Sequence, residues 1–118
     1  MDAGDLYRMI RKKERQNGML EGFHGTSASR ARAALENGFV DQRCVEGEIG
    51  IWFHDDKLPR NAHLHGQDKA REDGETEYAV IKARSMESRL DLRGRPQWVA
   101  PAKSLEILSV EFFKLNKE

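Results

Sequence analysis

A single cysteine, Cys44, leaves this chain without an internal disulfide to hold a fold together. No stretch of its 118 residues approaches the ~18 consecutive apolar positions that cross a bilayer. No charged-then-apolar leader opens it either. These absences lead us to expect a soluble protein of a reducing, cytoplasmic compartment. Charge of one sign is missing too. Lys and Arg total 20 against 20 Asp and Glu, so the chain as a whole has no attraction for phosphate backbones or anionic lipid. Membranes are therefore not expected partners, and a protein is a better candidate partner than a nucleic acid.

What is present fits one domain, long enough for one core and too short for two. Residues 1–19 read as a basic N-terminal helix: Asp2 or Asp5 caps it, Leu6, Met9 and Ile10 share a face, and Gln16-Asn17-Gly18 ends it. Arg8, Arg11, Lys12, Lys13 and Arg15 stand there against Glu14 alone. Such a patch suits sequence-independent phosphate contact, but a solvated helix face is the plainer reading.

Residues 20–118 form the compact domain. Leu20 to His24 reads as a short strand that enters the turn Gly22-Phe23-His24-Gly25-Thr26-Ser27 and passes into a helix over 27–37. In that helix Ala31, Ala34 and Leu35 are spaced to face a core, Ser27 or Ser29 is the cap, and Gly38 stops it before Phe39-Val40 return to the core. A loop over 41–48 leads to a strand from Ile49 to His54, and a further loop leads to a weakly patterned helix ending at Asp73-Gly74. Tyr78-Ala79-Val80-Ile81-Lys82-Ala83 is the clearest strand. Gln97 to Ala100 extends again, and Leu105, Ile107, Val110 and Phe112 are core candidates in the last segment. Many strands, few helices and short connections predict an α+β class with a mainly antiparallel sheet. The segments Gly22–Ser27, Gly50-Ile51-Trp52-Phe53 and Gln97-Trp98-Val99-Ala100 are expected to wall one pocket.

The order His-Gly-Thr with its helix, then Gly-Ile-Trp-Phe, then Tyr-Ala-Val-Ile-Lys-Ala with Met86 just after, and finally Trp98-Val99, resembles the ADP-ribosyltransferase fold. The likeness spans residues 20–114 and is nearest the branch of the poly(ADP-ribose) polymerases and RNA 2′-phosphotransferases. It implies split, mainly antiparallel β-sheets with a few short helices, and NAD as the cosubstrate. It also implies transfer of a single ADP-ribose to a macromolecular acceptor. By resemblance, His24 hydrogen-bonds a ribose hydroxyl and the Gly25 backbone holds the nicotinamide carboxamide. Thr26 and Ser27 add polar contacts, and Phe53 adjoins the stacking position. Trp52 stands where the family places a stacking tyrosine, and His63 where it places a second stacking ring. Gln97 stands where the polymerases carry a glutamate. Glutamine can hydrogen-bond a ribose hydroxyl, but it brings no negative charge to a developing cation and cannot act as a base. Chain elongation is therefore not expected. Mono-transfer, slow NAD hydrolysis, or binding of NAD or ADP-ribose without turnover remain as readings.

The phosphotransferase likeness rests on the same His-Gly-Thr turn, on Ala83-Arg84-Ser85-Met86 and on Trp98-Val99. Those enzymes need an additional N-terminal lobe with an Arg-His pair, and residues 1–19 contain no histidine. Plainer readings accompany each choice. His24 suits a hydrogen-bonded core histidine, and Trp52 and Trp98 suit core aromatics. His54, His63 and His65 lack an acid or thiol at zinc-like spacing, so no metal is expected. Glu46, Glu48, Glu75 and Glu77 read as solvated charge, with Glu77 and Glu106 the acids to consider should Gln97 not hold the third position. A small interaction protein that works through its basic helix is the remaining reading.

Overall fold

The computed structural model describes residues 20–43, 49–55, 59–86, 89–90 and 97–115. The expected basic helix over 1–19, together with Cys44, Glu46 and Glu48, lies outside them. In chain order the elements are β1 (Leu20–Ser27), α1 (Ala28–Asn37), β2 (Gln42–Arg43), β3 (Ile49–Asp55), α2 (Pro59–Glu72), β4 (Glu77–Ser85), β5 (Arg89–Leu90), β6 (Gln97–Ala100) and β7 (Glu106–Lys114), with a short 3-10 turn at Ala102–Ser104. The class is α+β, and every described strand pair is antiparallel.

The sheet order is β5-β6-β3-β1-β4-β7, with β2 paired to β3. Its two halves are joined unequally. β1 runs beside β4 from Leu20↔Ser85 to Ser27↔Tyr78 without a break. Against β3 it makes only the pairs Gly22↔Asp55 and Phe23↔His54. β3 meanwhile continues along β6 from His54↔Gln97 to Ile51↔Ala100. The β1–β3 ladder therefore opens at His24, while each of these strands stays paired on its other side.

Alternation along the strands sends successive side chains to opposite faces, and one helix covers each face. α1 presents Ala31 and Ala34 to Ala79 and Ile81. The same face carries an aromatic core of Leu20, Ile51, Phe53, Trp98 and Ala100. Phe53 and Trp98 are both fully buried, with rings stacked at 4.4 Å and 9°. Burial of this kind stabilises by about 2–3 kcal/mol per large side chain. α2 lies on the opposite face, where Ala62 and Ala70 meet Tyr78 and Val80. Its small residues let it approach closely: a Cβ on Gly25 would stand 1.7 Å from the Ala62 carbonyl oxygen and 2.6 Å from the Gly66 nitrogen.

Several elements extend past their expected ends. β1 continues to Ser27 because it pairs with β4 that far, and Gln42–Arg43 add a short strand within the expected loop. Gly38 stops α1 as its position predicts, at φ 79°, with its N–H donating to the Ala34 carbonyl at 2.9 Å. α2 ends at Glu72 and the chain turns at Asp73-Gly74. Three core expectations are corrected. Leu35, Val40 and Phe112 are exposed. Ala28 rather than Leu35 completes the buried face of α1, and Phe39 alone of its pair turns inward.

Candidate functional site

The opening between β1 and β3 brings together the three strands that carry the candidate residues. β1 holds His24, β3 holds Trp52 and β6 holds Gln97, and the three are neighbours in the sheet. His24 turns into the gap: its Nδ1 lies 2.8 Å from the Trp52 carbonyl oxygen. A carbonyl can only accept, so Nδ1 carries the proton. The imidazole thus satisfies a backbone acceptor just where the β1–β3 ladder has ended. Phe39 stands edge-on to the ring at 5.7 Å and Phe53 tilts against it at 5.4 Å.

Burial pushes the His24 pKa down to about 4, helped by the nearby His65, His54 and Lys69 and opposed by the bond to Trp52. At neutral pH the ring is therefore uncharged. With Nδ1–H committed to Trp52, Nε2 presents a lone pair, and among the described residues it has no hydrogen-bond partner. The group can accept a hydrogen bond from a ligand hydroxyl.

Trp52 is half-buried, one residue before Phe53, and so projects to the other face of the sheet from the Phe53–Trp98 stack. Gln97 is half-buried and pairs with His54. Counting two strand spacings from Phe23 through His54, Gln97 sits about 10 Å across the sheet from β1.

Four of the expected site residues meet other parts of the chain. Phe53 is wholly buried beneath Trp98 and is a core residue with no surface for a ligand. The close approach that Gly25 permits is to the α2 backbone, which fills the space over that face. Ser27 is the residue before α1 but makes no side-chain cap; its hydroxyl donates to Asp73 Oδ2 at 2.6 Å, and Thr26 beside it is buried. His63 does not flank Trp52. Its Nδ1 lies 2.9 Å from the Tyr78 hydroxyl and its ring meets Phe113 at 4.8 Å.

The ring that α2 does bring to β3 is His65. His54 and His65 stand 6.1 Å apart, edge to face, and Lys69 follows His65 by one helical turn. Neither imidazole has a hydrogen-bond partner among the described residues. The sequence signal was present in His63-Leu64-His65: both histidines belong to a helix, where residues two apart point in different directions, so only one of them can reach β3. No group of three or more His, Cys, Asp or Glu among the described residues is placed to hold a metal ion, and no described helix is long and apolar enough to cross a membrane.

Of the acids, Glu77 lies 3.7 Å from Arg32 and Glu106 pairs with Arg84 at 2.9 Å. Glu75 accepts from the Ser29 N–H at 2.9 Å and from the Ser29 hydroxyl, which satisfies a free donor in the first turn of α1. Asp73 takes the fork of Arg30 through Nε at 2.7 Å and an outer nitrogen at 2.9 Å. Those two bonds and the one from Ser27 hold its carboxyl down to about 2. Compared with known proteins, the chain matches no family model, no curated protein and no solved structure.

Proposed function

We propose that this chain is a small mono-ADP-ribosyltransferase that takes NAD into the opening between β1 and β3. The observation that carries the reading is the coincidence at His24. The ladder between β1 and β3 ends there, the neutral imidazole offers Nε2 as an acceptor, and the strands bearing Trp52 and Gln97 lie alongside. In this reading a ribose hydroxyl donates to His24 Nε2, the Trp52 indole lies against nicotinamide, and Gln97 hydrogen-bonds the nicotinamide ribose. The bond from ribose C1′ to the nicotinamide nitrogen breaks with its electron pair going to the ring. An acceptor nucleophile then forms the new bond to C1′ and gives up its proton to its own base or to water.

A second reading, NAD or ADP-ribose binding without turnover, is favoured by the charges around His24. The neighbours that act on it are His65, His54 and Lys69, and none can stabilise a developing cation by charge. Nicotinamide release from NAD, with His24→Ala as control, separates the two. Release that the substitution reduces by about tenfold or more, the loss of one well-placed hydrogen bond, supports the enzyme. Binding heat with no release supports the binding module, and no heat at millimolar NAD overturns both.

A further inference from the structure

Among the described residues, two imidazoles without a hydrogen-bond partner, His54 and His65, stand together beside the β1–β3 opening. His54 comes from β3 and His65 from α2, and their rings bring the two elements together here. Their rings are 6.1 Å apart, a separation at which one oxyanion can receive a hydrogen bond from each. Lys69, one turn further along α2, is half-buried and lies 3.2 Å from Glu72 at its solvent end. We propose that His54 and His65, backed by Lys69, form a subsite for the phosphate groups of a nucleotide bound in the opening. This rests on the NAD reading above and adds to it which residues hold the pyrophosphate.

The chemistry follows from the charge around the pair. Burial lowers the pKa of both rings, His65 further disfavours charge on His54, and Lys69 does the same to His65, while Asp68 and Glu72 on α2 pull His65 the other way. On the sheet side the cross-strand neighbours of His54 are Gln97 on β6 and Phe23 on β1, and Phe23 in turn pairs with Lys82 on β4. Lys82 is answered by Glu21 at 3.7 Å. The empty pair is therefore neutral near pH 7, and an anion between the rings reverses the balance by favouring their protonated forms. Binding takes up protons. Above the pKa of the empty pair, each proton taken up weakens binding about tenfold per pH unit.

The test is a titration of the full chain with ADP-ribose, whose pyrophosphate charge does not change between about pH 5.5 and 8. Histidine side-chain resonances and calorimetry in two buffers of different ionisation enthalpy give the site and the proton count. The expected result is that His54 and His65 both shift, that at least one proton is taken up, and that affinity falls as pH rises. His65→Gln and His54→Gln, at half-buried or exposed positions that leave the fold intact, should each weaken binding about tenfold at pH 6.5 and reduce the proton uptake. ADP-ribose binding with both histidines unmoved, or unchanged in His65→Gln, overturns the subsite while leaving the NAD reading in place. Sulfate, which also keeps its charge, provides the second arm. Weaker sulfate binding at the same two histidines supports a nucleotide site, and sulfate binding as tight as ADP-ribose overturns that assignment. Sulfate bound at the pair with no ADP-ribose binding at all would leave an anion site without a nucleotide and overturn both the subsite assignment and the NAD reading.

Discussion

Beside β1 lie two polar clusters, and they are finished differently. Toward Ser27 every prominent group has a partner: Ser27 and Arg30 on Asp73, Ser29 on Glu75, Arg32 near Glu77. Toward His24 the groups are mostly imidazoles, gathered near Lys69, and among the described residues the one side-chain hydrogen bond of those rings is from His24 to the Trp52 carbonyl. The first cluster ties the start of α1 to the turn after α2, and its chemistry is complete within the chain. The second leaves Nε2 of His24 and the rings of His54 and His65 open to something else. Polar groups paired within the chain contribute to folding, and buried ones without a partner cost stability unless water or a ligand answers them.

The largest effect comes from breaking the contact on which both clusters depend. α2 carries His65 and Lys69 toward one and leads to Asp73 and Glu75 in the other, and it is seated on β1 at Gly25. Gly25→Ala sets a methyl against the Ala62 carbonyl, in backbone that cannot yield. We expect a loss of about 3 kcal/mol or more, or no folded protein, read by thermal unfolding. Stability within about 0.5 kcal/mol of the parent would show that α2 does not sit on Gly25. Gly38→Ala is the control, since its added Cβ meets nothing and only the positive φ is strained.

The second effect separates the clusters by pH. His24 has its folded pKa lowered from 6.5 to about 4, so its neutral form is favoured in the fold; that stability is complete above about 6.5 and lost as pH falls toward 4. His54 and His65, also lowered, act in the same direction within that window. Asp73 is lowered from 3.8 to about 2, so its contribution is complete above about 4 and lost between there and 2. Unfolding midpoints followed across acid pH should fall in two stages. His24→Gln should flatten the upper stage and leave the lower, and Asp73→Asn should do the reverse. Asp73 is exposed, so its stage is the smaller of the two. A single stage untouched by either substitution would remove the contrast between the clusters.

The difference also explains what the sequence made legible. The β-branched run between turn signals at Tyr78–Ala83 and the glycine stop at Gly38 are local signals, and both elements form where they were read. The α+β class and the adjacency of the motif strands follow from the order of such segments. Side-chain destinations were harder. Phe53 looked like part of a binding wall, but alternation along β3 sends it under Trp98 and sends Trp52 the other way. His63 and His65 differ by two positions on a helix, and which of them meets β3 depends on how α2 rotates on Gly25 and Gly66. The Ser27–Asp73 bond spans 46 residues, a separation at which no local pattern reports a contact.

The smallest effect tests how far the charge at the His24 cluster can be altered. Gln97 lies directly across from His54 in the β3–β6 register, so Gln97→Glu brings a carboxylate to within about 5 Å of that ring. At such a separation and partial exposure the attraction amounts to about 1 kcal/mol, enough to raise the His54 pKa by less than about one unit. Stability should change by less than about 0.5 kcal/mol, because the position is half-buried and the substitution nearly isosteric. Histidine resonances followed through pH give the shift directly. An unmoved His54 would mean that residue 97 faces away from the imidazole pair. On the NAD reading proposed above the same variant bears on turnover: a carboxylate beside the ribose would steady its developing positive charge, so nicotinamide release should rise. A raised His54 pKa with unchanged release, in a protein that still binds NAD, would place Gln97 beside the phosphate subsite but away from the bond that breaks.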